Sequence, residues 1–183
     1  IIVACNTVSA YALDEMQESA DCPVIGVVEA GILASSNALQ NKESNILIIG
    51  TKATINSKAY EHGLHSFNFH NLQVRPTPLF VPLVEEEIFE GKILEATLEH
   101  YFQNVQHPDA LILGCTHFPL ISNALSNYFG KSTKLIHSGD AIVEYLKSKF
   151  TFNTLHDNPK LKFFASENPE ALRTIADKWL YGK

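Results

Sequence analysis

Two stretches of the chain end alike. Ile1-Ile-Val-Ala-Cys-Asn-Thr-Val-Ser-Ala10 and Leu111-Ile-Leu-Gly-Cys-Thr-His-Phe-Pro-Leu120 each run from apolar residues through a small residue to a cysteine, then to short polar or hydrogen-bonding residues. A short apolar run ending this way reads as a buried strand that delivers reactive side chains at its C-terminal end. A thiol at a strand-to-helix turn lies near helix N-terminal amides, which favour the thiolate and lower its pKa from a free value of about 8.5. Cys5 and Cys115 are therefore usable as base, acid or nucleophile. A single cysteine is as readily a small buried hydrophobe, but two at matching positions ask for more. His117, two residues after Cys115, can polarise that thiol or act as a general acid near neutral pH. Cys22, before Pro23 at a helix end, has no such context and reads as a structural or surface residue.

Other chemistry-bearing groups are weaker. Gly50-Thr-Lys-Ala-Thr54 lacks the Gly-Lys-Ser/Thr core of a phosphate loop, which excludes that mode of nucleotide binding, although its hydroxyls and amides can hold a small carboxylate. Ser138-Gly-Asp140 follows His137, but G-x-S-x-G is absent, so helix capping accounts for it. Glu85 and Glu86 read as solvated carboxylates at a helix start, where the dipole favours them. His62, His65 and His70 share no acidic or cysteine ligand, so no metal is assigned to them. Trp179 and Tyr181 read as packing residues.

These side chains need a scaffold. The 183 residues are 45% hydrophobic, enough for a substantial core in one large or two small domains. A formal charge of -6 with scattered basic residues argues against nucleic acid or an anionic membrane as main partner. No spanning segment or cleavable leader is legible, and three cysteines without a C-x-x-C pair fit reduced thiols, which makes the cytoplasm the expected compartment. Ile1 is not an initiator Met and already lies in a strand pattern, so upstream sequence is expected to be missing.

The patterns predict strands at 1–4, 24–28, 46–49, 110–113, 134–137 and 161–165. Helices are predicted at 8–18, 32–39, 54–62, 86–89, 93–102, 122–129, 141–150 and 169–180, with Ser166 or Asn168 capping the last. Residues 63–78 read as a short strand and loop. Alternation of strands and helices calls for a parallel sheet covered on both faces, with ligands beyond the carboxyl ends of its strands. Four such ends compete for the site: Cys5-Asn6-Thr7, Gly50 to Thr54, Cys115-Thr116-His117 and Ser138-Gly139-Asp140.

Ala4-Cys5-Asn6-Thr7-x-Ser9-Ala10 and Leu113-Gly114-Cys115-Thr116-His117-Phe118-Pro119-Leu120 resemble the two signature motifs of the bacterial glutamate racemases, within the aspartate/glutamate racemase family. Gly50-Thr51-x-Ala53-Thr54 and Phe80-Val-Pro-Leu-Val-Glu85 fall between them in the family's order. Ser9 and His117 favour glutamate over aspartate, while Val8 stands in place of a usual Ala. The resemblance implies two parallel-sheet α/β domains with the active site in the cleft between them, one made of 1–28 and 141–183 and the other of 29–140, often as a homodimer. It implies cofactor-independent racemisation of L-glutamate to D-glutamate for peptidoglycan synthesis, and so for cell wall biogenesis and cell shape. Cys5 and Cys115 would be the two proton-transfer groups, with Glu85 and His117 assisting the second. Asn6, Thr7, Thr51, Thr54 and Thr116 would bind the substrate. No metal and no cofactor is implied. The family's N-terminal Asp-Ser-Gly segment and its Pro-Tyr-Gly segment have no counterpart here, so the stretch by itself is expected to be inactive. A racemase of aspartate or another small amino acid, and a non-enzymatic small-acid binding module, are the rival readings. A thiol redox role is weaker, because no resolving cysteine lies near either thiol.

Overall fold

The computed structural model describes residues 1–151 and 161–181. Among the described residues there are six strands: β1 (Ile2–Val3), β2 (Ile25–Gly26), β3 (Ile46–Gly50), β4 (Leu72–Pro76), β5 (Ala110–Gly114) and β6 (Lys134–His137). All pairings are parallel, and they form two sheets, a small one of β1 and β2 and a four-stranded one in the order β4-β3-β5-β6. The α/β class expected from the alternating pattern is the one found.

The uninterrupted apolar runs belong to the two central strands. Every residue of β3 and β5 is buried, as a parallel sheet covered on both faces requires. Successive side chains face opposite ways. Leu47, Ile49, Leu111 and Leu113 pack on one face with Phe80, Leu94, Phe102, Phe118 and Leu125. Ile46, Ile48, Ala110 and Ile112 pack on the other with Ile32, Tyr60, Leu64 and Phe69. Those partners come from α3 (Val27–Ala38), α5 (Ala59–Ser66) and Phe69 after it on one face, and from α6 (Phe80–Glu85), α7 (Lys92–Phe102), α8 (Ser122–Phe129) and the 3-10 turn Phe118–Ile121 before it on the other. α9 (Ser138–Lys149) lies against α3 through Ala141 and Ile142 on Val27 and Ala30.

Several boundaries differ from the sequence reading. The predicted strand 24–28 is only β2, because Val27 and Val28 already form the first turn of α3. The predicted helix 8–18 is two short ones, α1 (Asn6–Tyr11) and α2 (Leu13–Ser19), broken at Ala12, whose φ of -123° leaves the helical region. The helix read over 54–62 is also divided, into α4 (Lys52–Asn56) and α5, by Lys58 in the left-handed region at φ 57°. The predicted helix at 86–89 is a turn, since α6 ends at Glu85 and Glu87 has φ 57°. Ser138, Gly139 and Asp140 form the first turn of α9, not a cap before it.

The chain divides into two compact units, Ile1–Phe150 and Thr151–Lys183. Both sheets belong to the first. In the second, α10 (Pro169–Tyr181) follows Asn168, whose carbonyl accepts a hydrogen bond from the Leu172 amide. Residues 161–165, read as a strand, are irregular there; no neighbouring strand among the described residues supplies the ladder that an extended segment needs. The packing role read for Trp179 and Tyr181 lies outside the described side chains.

Candidate active site

The carboxyl ends of the strands are where the reactive residues gather. In the four-stranded sheet Gly50 pairs with Gly114 at the last rung of β3 and β5. The two glycines make the close approach possible. A Cβ on Gly114 would lie 2.7 Å from the Ile49 carbonyl oxygen, and one on Gly50 would lie 3.2 Å from that of Gly114. Thr51 and Cys115 follow directly, so the two loops leave the sheet side by side.

Cys5 stands at the N-cap of α1, with its carbonyl accepting from the Ser9 amide, and it is exposed. Its strand end is tied down by Ser9, whose buried hydroxyl donates to the Val3 carbonyl and accepts from the Val27 amide. Ser9 thus joins β1 to the start of α3, a structural duty. Two residues after Cys5, the Thr7 hydroxyl hydrogen-bonds Thr51 at 2.9 Å and Thr54 at 3.0 Å, and Thr51 bonds Thr54 at 3.1 Å. Three hydroxyls from two strand ends therefore close into a triangle. Thr51 also caps α4 by accepting from the Thr54 amide.

On the other side, Cys115 Sγ lies 3.6 Å from His117 Nδ1, and His117 Nε2 lies 3.3 Å from Glu85 Oε1. A carboxylate can only accept, so it selects the Nε2–H tautomer and leaves Nδ1 to accept the proton of the thiol. The result is a thiol, imidazole, carboxylate relay. Thr116 is exposed beside it. Glu85 is not at a helix start: it is the last residue of α6, where the helix dipole disfavours a carboxylate, so capping does not account for it. Its 3.3 Å contact with His117 Nε2 does.

Cys115 is buried, at 7% exposure. Burial pushes its thiol above the usual value; the His117 amide opposes this most, charge on Cys5 and then on Glu85 reinforces it, and the Thr116 amide opposes it last. The lowering expected at a helix start is present but outweighed for this thiol, because desolvation of a thiolate is the larger cost. Charge on Cys5 is thus one of the influences that hold the proton on Cys115.

Of the residues singled out in the sequence, Thr7, Thr51 and Thr54 meet in one cluster and Cys115, His117 and Glu85 in another. Asn6 is 2% exposed, and its side-chain amide nitrogen is buried without a partner. The fourth strand end, Ser138 to Asp140, lies one strand beyond β5, at the edge; there His137 approaches Asp140 at 4.0 Å. Cys22 is exposed. His65 and His70 stack at 5.4 Å, and no group of three or more potential ligands occurs among the described residues. Sequence reasoning missed Tyr60. Its phenol donates to Asn6 Oδ1 at 2.7 Å, and nothing in the local pattern of α5 marks it as other than a core residue.

The scaffold is a parallel α/β one that ends two strands in cysteines, with hydroxyls, an imidazole and a carboxylate around them. Residues 1–146 match the model of the Asp/Glu/Hydantoin racemase family, and the chain belongs to that family. It is 54% identical over 180 residues to the glutamate racemase of Nitratiruptor sp., covering 98% of this chain and 71% of that protein. The crystal structure of glutamate racemase from Campylobacter jejuni superimposes with a TM-score of 0.95 at 52% identity, covering 98% of this chain and 72% of that one. Glutamate racemase from Francisella tularensis, in complex with D-glutamate, gives 0.80 at 32% identity, covering 98% and 69%.

Proposed function

We propose that this chain carries the two proton-transfer groups of a glutamate racemase that uses no pyridoxal phosphate. Inversion at Cα needs a base on one face of the amino acid and an acid on the other. Cys5 and Cys115 fill these roles: one thiolate removes the Cα proton, the opposite thiol returns one, and the two sulfurs exchange protonation states in each turnover. His117 takes or gives the Cys115 proton through Nδ1, and Glu85 steadies the imidazolium that results. Asn6, Thr7, Thr51, Thr54 and Thr116 bind the carboxylates and ammonium. The observation that carries the reading is the hydroxyl triangle that joins the Cys5 strand end to that of β3, whose last rung, Gly50, pairs with Gly114 next to Cys115. The glutamate preference is supported by the relatives of that name.

The test uses the protein as its organism makes it, and follows exchange of the Cα proton of D- and L-glutamate in heavy water together with optical inversion. Cys5→Ser and Cys115→Ser should each cut turnover by roughly a thousandfold, within the range of general acid–base contributions. Retention of a tenth of the parent rate by either variant sinks the two-thiol mechanism. A panel in which aspartate outruns glutamate would move the substrate to the shorter acid. A binding module predicts that both variants keep their biological role intact.

The same reading makes the protein a cytoplasmic homodimer supplying D-glutamate for peptidoglycan. The compartment is supported by three free cysteines. Rescue of depleted cells by added D-glutamate, and sedimentation at twice the chain mass, are the outcomes it expects.

A further inference from the structure

Tyr60 lies at a junction that the proposed mechanism does not use. The break at Lys58 turns α5 away from α4, and Ser57 secures it by donating to the Thr54 carbonyl at 2.6 Å while accepting from the Ala59 amide. The segment that supplies Thr51 and Thr54 therefore also delivers Tyr60 to the interior, where it is 3% exposed. Two glycines make room for the ring. A Cβ on Gly31 would lie 3.0 Å from the phenol oxygen, and one on Gly114 would lie 3.3 Å from Tyr60 Cε2. The ring thus stands against the residue before Cys115 while its hydroxyl reaches Asn6, the residue after Cys5.

The hydrogen bond is specific in direction. A buried phenol must donate its proton, and the acceptor it meets is Asn6 Oδ1. Rotating the Asn6 amide by half a turn would present a donor to that phenol and strand its proton. Tyr60 therefore holds the amide in one orientation, with Nδ2 turned the other way. That nitrogen is buried and unpartnered, which is costly unless a ligand supplies an acceptor. Burial, with charge at Cys115 adding to it, keeps the phenol protonated, so the donor persists across the working pH range.

We infer that Tyr60 is a positioning residue: through its bond to Asn6 Oδ1 it aims the Asn6 amide N–H at a carboxylate of the amino-acid substrate, and its ring couples that aim to the Cys115 strand end. The inference rests on the racemase reading for the identity of the ligand.

The protein as its organism makes it, with Tyr60→Phe, Asn6→Ala and the double variant, tests this by kinetics on D- and L-glutamate. Tyr60→Phe should raise KM about tenfold for both enantiomers, the low end for losing a hydrogen bond to a charged group, with kcat changed less than threefold. The double variant should be no worse than Asn6→Ala alone, because Tyr60 acts through Asn6. An unchanged KM in Tyr60→Phe, or effects that multiply, overturns the inference. If Tyr60→Phe fails to fold, Asn6→Asp replaces the donor in nearly the same shape; it should raise KM, and an unchanged KM counts against the inference. A second readout needs no turnover. The side-chain amide 15N–1H signals of Asn6, assigned by their loss in Asn6→Ala, should move in Tyr60→Phe, and unmoved signals refute the tether. Lack of glutamate turnover by the parent would instead fail the racemase reading, and the amide signals would still decide the role of Tyr60.

Discussion

Replacing Glu85 by Gln removes one charge from the Cys115 relay and changes little else, so its effect can be worked out from geometry. At the 3.3 Å that separates His117 Nε2 from Glu85 Oε1, two unit charges attract by about 1.3 kcal/mol in bulk water and about 5 kcal/mol at a near-surface dielectric of ~20. The Glu85 side chain is 62% exposed and that of His117 33%, which puts the pair toward the water limit, where measured values are about 1 kcal/mol or less. A second effect opposes the first. Glu85 also raises the Cys115 thiol directly, so its removal makes the thiolate slightly easier to form. The net loss should be about fivefold in kcat/KM at low salt, given about 1.4 kcal/mol per decade. Because the enantiomers have equal free energy in water, kcat/KM must fall by the same factor in both directions. The asymmetry appears in the Cα deuterium isotope effect, which should grow more for the enantiomer that Cys115 deprotonates. Raising salt to about 1 M shortens the screening length to about 3 Å and should bring parent and variant within twofold. Rates by circular dichroism and isotope effects by NMR are sufficient. A Glu85→Gln variant equal to the parent at low salt would refute the relay, and a loss beyond a hundredfold would mean that Glu85 itself handles substrate.

The other predictions concern stability. Cys115 has its folded pKa raised by burial, so between the unfolded and folded values the unfolded chain binds fewer protons and stability must fall as pH rises. The decline begins near the free thiol value of about 8.5 and is at most about 1.4 kcal/mol per pH unit; denaturant titrations from pH 7.5 to 9.5 should show it, and Cys115→Ala should flatten it. Gly114→Ala drives a Cβ to 2.7 Å from the Ile49 carbonyl and should cost about 1–3 kcal/mol by overpacking, read as a Tm lowered by several degrees. Gly139→Ala, with nothing within 4 Å in α9, should be neutral or slightly stabilising by thermal melting.

Much of the candidate site is local in origin, which is why its residues stand out in the sequence by itself. Cys5 and Cys115 end apolar runs and begin helical turns, and a thiol's place at such a turn depends on a few neighbours in the chain. The runs at 46–49 and 110–113 are fully apolar, so their burial in the middle of a parallel sheet follows from composition. Other features needed the folded chain. Glu85 was misplaced because the residues after it continue a helical pattern that a left-handed Glu87 interrupts, and only then does the carboxylate at a helix end find His117. Residues 161–165 have the composition of a strand, but a strand exists only where a neighbour pairs with it. The balance at Cys115 was beyond local reasoning as well, since burial opposes the helix amides and burial is a property of the whole core. Tyr60 is the clearest instance: its partner Asn6 is 54 residues away in sequence, and its seat is cut by Gly31 and Gly114 from two other elements. The sequence determined which groups could transfer protons. Tertiary structure decided which of them meet, which way the Asn6 amide faces and how strongly the Cys115 proton is held, because orientation and desolvation come from contacts between segments far apart in the chain.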